Sequence, residues 1–503
     1  MKRSKLKLIS ISLFILVLVS SIFIFTGCPS KPKVYKITVL YMNDTHAHYV
    51  PYKPGNSPDE TVGGFARAMT VIRKTRKSNL VSKRETILLH AGDVSAGTLY
   101  STIFRGRMGQ KLISKMKFDA MVVGNHEFDY GYHLLKKFKL ESDLKILSAN
   151  IVDEDGKKQF KEFFIKRFEG KDLQIIIFGL TTPTTVYTTH PKNVRGLKFL
   201  DPIETANKVL NQFHEEDLII ALTHLGVEDD KKLAESCPKI DLIVGGHSHT
   251  KIEQPLKINK TLICQAGAYA EFIGKLDIDV ENGQIIKYNG ELIRLTEEFE
   301  EDEKIANLIE KFKKKVDVRF EKKVAESKVF LDGEKKSVRS KETNLGKLIC
   351  KIMRINVRAD IALMNGGGIR ASIQKGDIKL KDIYSVLPFD STLVTINLKG
   401  KYLLEVLQRS ADLKPGDGGK LHTYGITYTN KKGKIEILKI RKEPFDPEKN
   451  YKIALNNFIA EGGDGYTIFQ EKGEDFVDTG LIIRDALIHY IKKRKVLTEE
   501  HLK

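Results

Sequence analysis

The chain has 503 residues, 41% of them hydrophobic and 30% charged, and a formal charge of +19. That length is too great for one ordinary core and implies two domains, and the composition is globular apart from one segment at the start. The lysines are scattered and no basic run is interleaved with aromatics, so the charge reads as a solvated surface and excludes a nucleic-acid polymer as main partner.

Lys2, Arg3, Lys5 and Lys7 form a positive head, an apolar run broken only by serines covers residues 8–25, and Phe25-Thr26-Gly27-Cys28 ends it. This resembles a bacterial lipoprotein signal over residues 1–28, which implies that Cys28 is lipidated and tied to a membrane. The alternative is an uncleaved anchor, since the run is almost long enough to span a bilayer. On either reading the rest lies outside the cytoplasmic membrane. Cys237, Cys264 and Cys350 have no CxxC spacing and read as buried single thiols.

After a short basic linker, five apolar runs share one plan. Residues 36–42 precede Asn43-Asp44-Thr45-His46, and 86–90 precede Ala91-Gly92-Asp93. Residues 120–123 precede Gly124-Asn125-His126-Glu127, 218–222 precede Thr223-His224-Leu225-Gly226, and 241–244 precede Gly245-Gly246-His247-Ser248-His249. Such runs predict buried strands, and the loops beyond their ends can gather residues distant in sequence. Residues 297–326 are rich in Glu and Lys, with Ile305, Leu308, Ile309, Phe312 and Val316 at helical spacing. They predict a long amphipathic helix joining two domains. The second domain covers 327–503.

Asp44, His46, Asp93, Asn125, His224, His247 and His249 offer carboxylate, imidazole and amide ligands without a thiolate. That set suits borderline-to-hard divalent ions such as Zn, Mn, Co or Fe and disfavours a structural zinc site. Seven ligands are too many for one tetrahedral ion and suit two ions sharing Asp93. A pair of ions can lower the pKa of water and stabilise both attacking and leaving oxygens at a phosphate ester.

In this order the motifs resemble the calcineurin-like metallophosphoesterases, and Gly124-Asn125-His126-Glu127-Phe128-Asp129 with Ser148-Ala149-Asn150-Ile151 resembles their 5'-nucleotidase branch. The resemblance implies an α/β fold: a four-layer αββα sandwich over 34–296, the linker helix, and a C-terminal α/β substrate-binding domain. It implies Asp44, His46, Asp93 and His249 on a first metal, and Asp93, Asn125, His224 and His247 on a second. His48 has no ligand role in the family and is expected at the surface.

The same resemblance implies a dyad in which Asp129 orients His126 and keeps it cationic beside the phosphoryl group. The plainer reading of Asp129 is a cap for a helix beginning near Tyr130. Asn365 and Arg370, flanking three glycines, match the family's substrate motif, as does Arg339, while Lys341 stands where some relatives have Arg. Phe389 and Phe458 match rings that sandwich a nucleobase, and Asp464 matches a contact beside them. Asp390 replaces a frequent Gly, and an acid there is expected to tune base choice or repel highly charged substrates.

The implied activity is hydrolysis of 5'-nucleotides to nucleosides and phosphate, with closure of the second domain over the metals. UDP-sugars, 2',3'-cyclic nucleotides and nucleotide diphosphates are alternative substrates, and a non-catalytic nucleotide-binding lipoprotein is the alternative of another class. Oligomeric state and the native metal stay open.

Overall fold

The computed structural model of the protein describes residues 33–53, 60–170, 172–214, 217–316 and 318–502. Cys28 and the rest of the expected signal lie outside them. Among the described residues no helix is long and apolar enough to cross a membrane.

The apolar runs form strands because both of their faces are covered. β1 (Val34–Met42) buries its last six residues, and it pairs in parallel with β2 (Glu85–His90), Ile37 opposite Glu85 and Met42 opposite His90. β3 (Ala120–Val122) and β4 (Lys145–Leu147) extend the sheet in the same sense. A second sheet contains β5 (Phe163–Arg167), β6 (Gln174–Thr181), β7 (Leu218–His224), β8 (Leu242–Val244), β9 (Leu256–Ile258) and β10 (Thr261–Cys264). The hairpin β11 (Phe272–Glu281) and β12 (Gln284–Arg294) returns to the first sheet. The two orders are β12-β11-β1-β2-β3-β4 and β9-β10-β8-β7-β6-β5.

Ile37, Val39, Ile87 and Leu89 of one sheet pack with Ile175, Ile177, Leu218 and Ile220 of the other. The outer face of the first sheet is covered by α1 (Phe65–Ser82), α2 (Leu99–Phe104), α3 (Arg107–Met116) and α4 (Tyr132–Glu141). That of the second is covered by α5 (Pro202–Leu210) and α6 (Val227–Ser236). This is the four-layer αββα sandwich. Asn150 ties the sheets together: its Nδ2 donates to the carbonyls of Thr181 (2.7 Å) and Leu200 (3.0 Å), and its Oδ1 accepts the Thr181 amide. Cys237, Cys264 and Cys350 are buried free thiols, as expected.

The helix expected over 297–326 is shorter. α7 covers Glu303–Lys313, started by the Asp302 carboxylate, which accepts the Ile305 amide at 3.1 Å. Its stripe of Ile305, Ile309 and Phe312 joins the core of the first domain instead of standing free between domains. Beyond it the chain passes through a short 3-10 turn over Val318–Glu321 into a strand over Lys323–Ser327.

The second domain surrounds a five-stranded sheet. Its strands are β13 (Ile361–Asn365), β14 (Thr392–Lys399), β15 (Leu421–Tyr424), β16 (Asn450–Asn456) and β17 (Glu474–Ile482), in the order β15-β13-β16-β14-β17. α8 (Asn344–Val357), α9 (Leu380–Val386) and α11 (Ile483–Arg494) cover one face, and α10 (Gly400–Asp412) the other. α8 starts at Thr343, whose hydroxyl accepts the Gly346 amide at 3.2 Å.

Candidate active site

The carboxyl ends of β1, β2, β3, β7 and β8 deliver all seven expected metal ligands to one place. The loops are tightly wound: Asp44 (φ 46°), His46 (45°), Asp93 (57°), His247 (75°) and His249 (57°) all have left-handed backbone, unfavourable for residues with a Cβ. Paired backbones hold them there. The Asp44 amide donates to Gly92 O and the His46 amide to Asp93 O, each at 3.0 Å. Gly92 itself must be glycine, since a Cβ would lie 2.6 Å from His224 Nδ1.

Each imidazole is oriented from behind. His46 Nδ1 lies 3.0 Å from Ala96 O, and His224 Nδ1 lies 2.7 Å from Ala91 O. A carbonyl only accepts, so both Nδ1 atoms carry the proton and both Nε2 atoms turn lone pairs inward. His46 Nε2 lies 3.0 Å from His249 Nε2, 3.9 Å from Asp44 Oδ1 and 3.7 Å from Asp93 Oδ2. His224 Nε2 lies 3.2 Å from Asp93 Oδ2 and 3.2 Å from Asn125 Oδ1, and His247 Nδ1 lies 3.1 Å from that same oxygen. Potential ligand atoms therefore face one another in two adjacent groups, with one Asp93 oxygen common to both. A buried set of ligand atoms facing one another fits cations, and this donor set fits divalent ions of the Zn, Mn, Co and Fe type.

The ligand side chains differ in their affinity for protons. Burial and neighbouring cations carry His46 and His249 well below the usual imidazole range, and His247 down to about 3. Burial also opposes charge on His224, yet Asp93 and Asp44 lift it to about 10. Burial alone would raise Asp93, but His224 and His126 hold its carboxyl below the carboxylate range.

His126 Nδ1 lies 2.6 Å from Asp129 Oδ2, and Asp129 Oδ1 accepts the Thr189 hydroxyl at 3.0 Å. Burial disfavours an imidazolium, but Asp129 and Asp93 outweigh it and raise His126. Asp129 does not start a helix: α4 begins at Tyr132 behind Gly131, and Asp129 instead closes the 3-10 turn Asn125–Phe128. From the second domain, Phe389 lies nearly parallel to the His126 ring, 6.4 Å between centroids, with the Arg370 guanidinium 5.9 Å from the Phe389 centroid. Asn365 Nδ2 donates to Asp464 Oδ2 at 2.7 Å, and Asn365 Oδ1 accepts from Asn456 at 2.9 Å. Arg339 reaches Gly416 O at 3.3 Å, and Phe458 is half-buried. The glycine run is needed first for protein packing, since a Cβ on Gly366 would lie 2.2 Å from Val338 O.

Residues 37–251 match the calcineurin-like phosphoesterase family, and residues 323–471 match the 5'-nucleotidase C-terminal domain. A 5'-nucleotidase of Vibrio cholerae is 31% identical, the match covering 93% of this chain and 93% of its own. The chain belongs to the 5'-nucleotidase family. The trifunctional nucleotide phosphoesterase protein YfkN of Bacillus subtilis is 34% identical over 92% of this chain, which spans only 34% of that longer protein. The crystal structure of a 5'-nucleotidase precursor from Thermus thermophilus superposes with a TM-score of 0.83 at 33% identity, covering 92% of this chain and 97% of its own.

As a member of the 5'-nucleotidase family, the protein is a metal-dependent phosphoesterase. Two residues at its site escaped the sequence reading. Glu127 accepts three backbone amides, from Asp93, Val94 and Gly124, each at 2.8 Å, and so locks two ligand loops together. Its only signal was a place inside the Gly-Asn-His-Glu string. Lys335 is half-buried, one helical turn before Arg339, and its ammonium is pushed well below its ordinary value by burial, Arg339 and Arg370, with Asp44 and Asp93 opposing. The i,i+4 spacing from Arg339 was the available clue. Lys341 is exposed. His48 is half-buried rather than fully exposed: its ring packs 4.8 Å from Tyr52 and 4.6 Å from Tyr269, centroid to centroid.

Proposed function

We propose that this enzyme hydrolyses 5'-nucleotides to nucleosides and phosphate at a pair of divalent cations, exported and held at a membrane through Cys28. The observation that carries the reading is the Asp93 oxygen lying within 3.7 Å of His46 and 3.2 Å of His224, beside a His126 ring that faces Phe389 of the other domain. Asp44, His46, Asp93 and His249 would hold one cation, and Asp93, Asn125, His224 and His247 the other. Cations bound there would lower the pKa of water and offset the negative phosphoryl oxygens.

The chain's own groups do the rest. Asp129 takes up His126 Nδ1, which leaves the Nε2 proton free to point into the cleft, where it stabilises charge on the phosphoryl group or passes to the leaving oxygen. Arg339, Arg370 and Lys335 supply positive charge for the phosphate, Arg with a planar fork and Lys as a point charge. Phe389 and Phe458 offer π-faces to the base, with Asn365 and Asp464 beside them. A non-catalytic nucleotide binder has no use for the His126–Asp129 pair.

The test is phosphate release by protein starting after Cys28, on AMP, ADP, ATP, UDP-glucose and 2',3'-cyclic AMP with Mn, Co and Zn. AMP is expected to turn over fastest with a metal present and not at all after chelation. Binding of AMP without release under any metal would reject the enzyme, and a faster UDP-glucose or cyclic-nucleotide reaction would reassign the substrate.

A further inference from the structure

The Phe389 loop joins α9 to β14 and carries three consecutive carbonyls, from Leu387, Pro388 and Phe389, that need donors. Arg484, near the start of α11 and only 5% exposed, serves two of them. Its NH1 donates to Leu387 O at 3.1 Å and to Phe389 O at 3.4 Å, while its NH2 reaches Asp390 Oδ1 at 2.5 Å. The guanidinium lies 4.0 Å from the centroid of the Tyr384 ring, which covers it. The Ile483 amide, one residue earlier, donates to Ser391 O at 3.0 Å. The third carbonyl, Pro388 O, accepts the Thr102 hydroxyl of the first domain at 2.9 Å.

We propose that Arg484 is a positioning residue that sets where the Phe389 ring stands, and that Asp390 is its counter-ion. This rests on the reading of Phe389 as one face of the base site. A buried guanidinium is expensive to desolvate, and one spent on two carbonyls and a carboxylate of a five-residue loop fixes that loop as a unit. Lysine cannot replace it, having no planar fork to span three acceptors. The Asp390 carboxylate, 62% exposed, is aimed at Arg484. Its charge is therefore paired with Arg484. The second ring is tied to the same loop, since Asn457, adjacent to Phe458, accepts the Thr392 amide at 3.2 Å.

The experiment compares AMP with ribose 5-phosphate, a base-free ester of the same sugar phosphate, for wild type, Arg484→Lys, Asp390→Asn and Phe389→Ala at saturating metal. Base stacking on an aromatic ring contributes about 1–3 kcal/mol. Arg484→Lys is expected to raise KM for AMP about tenfold, leaving kcat on AMP and both constants on ribose 5-phosphate within about twofold. Asp390→Asn, which keeps the shape of the loop, should move KM for AMP the same way by about threefold. Equal losses on both substrates, or no change in KM for AMP in either variant, would overturn the positioning role. Should Arg484→Lys fail to fold, Asp390→Asn decides alone. Phe389→Ala separates the two layers of the argument: if it leaves the AMP to ribose 5-phosphate ratio unchanged, the base-stacking reading itself fails.

Discussion

Asp464 is held against its own charge. Burial pushes its carboxyl up to about 6, Asp417 adds to the shift, and the Asn365 amide, Arg339 and Arg409 oppose it. Because the folded value lies above the unfolded one near 4, its stabilising share is complete below about pH 4 and lost as pH rises through about 6. Asp464→Asn keeps an oxygen for the Asn365 amide. It is expected to melt about 2–4 °C above the parent at pH 8 and level with it at pH 4, while KM for AMP rises. A lower melting temperature at pH 8 would reject this account. At the scale of single residues the ligands were legible because each closes a recognisable string behind an apolar run. Glu127 was not, since two of its three partners, the Asp93 and Val94 amides, lie on a loop distant in sequence. Nor was His48, whose burial depends on Tyr269, brought beside it only by folding.

Elements were legible where one face or both faces are buried within a single run, as in β1, β2, β3, β7 and β8. α7 illustrates the other case. Its apolar spacing was read correctly, but its ends and its destination were not, because the Asp302 cap and the docking surface on α1 and α3 are set by tertiary structure. That docking is measurable. Phe312 is 8% exposed and meets Phe104 edge-on at 4.9 Å between centroids. Phe312→Ala is expected to lower the stability of the first domain by about 3 kcal/mol in urea unfolding. A loss below about 1 kcal/mol would mean that α7 is a detachable connector after all.

For the whole molecule, two domains and a sandwich could be read from motif order, whereas the contacts between domains could not. One of them is His190. Asn457 Oδ1 accepts from Thr392, which leaves Asn457 Nδ2 facing His190 Nε2, 3.1 Å away, while the Lys192 amide faces His190 Nδ1 at 3.4 Å, so both ring nitrogens meet donors and a doubly protonated ring would lose these contacts. Burial, then Lys192, depresses His190 to about 4, with Glu461 3.6 Å from its Nδ1. A depressed imidazole contributes fully above about pH 6.5 and loses its contribution as pH falls through about 4. The radius of gyration in solution scattering is therefore expected to grow between pH 7 and pH 4.5, and His190→Gln should flatten the response. A wild-type radius independent of pH would count against the latch.

β1 has one further implication. It receives the chain at Val34 and hands it on at Met42, two residues before Asp44, and nine extended residues reach about 30 Å. An anchor upstream of Lys33, as proposed above, would therefore hold the first domain by the end of β1 remote from Asp44. The ligand-bearing loops lie at the opposite end of that strand, so the anchor proposed at Cys28 would leave them on the side remote from it.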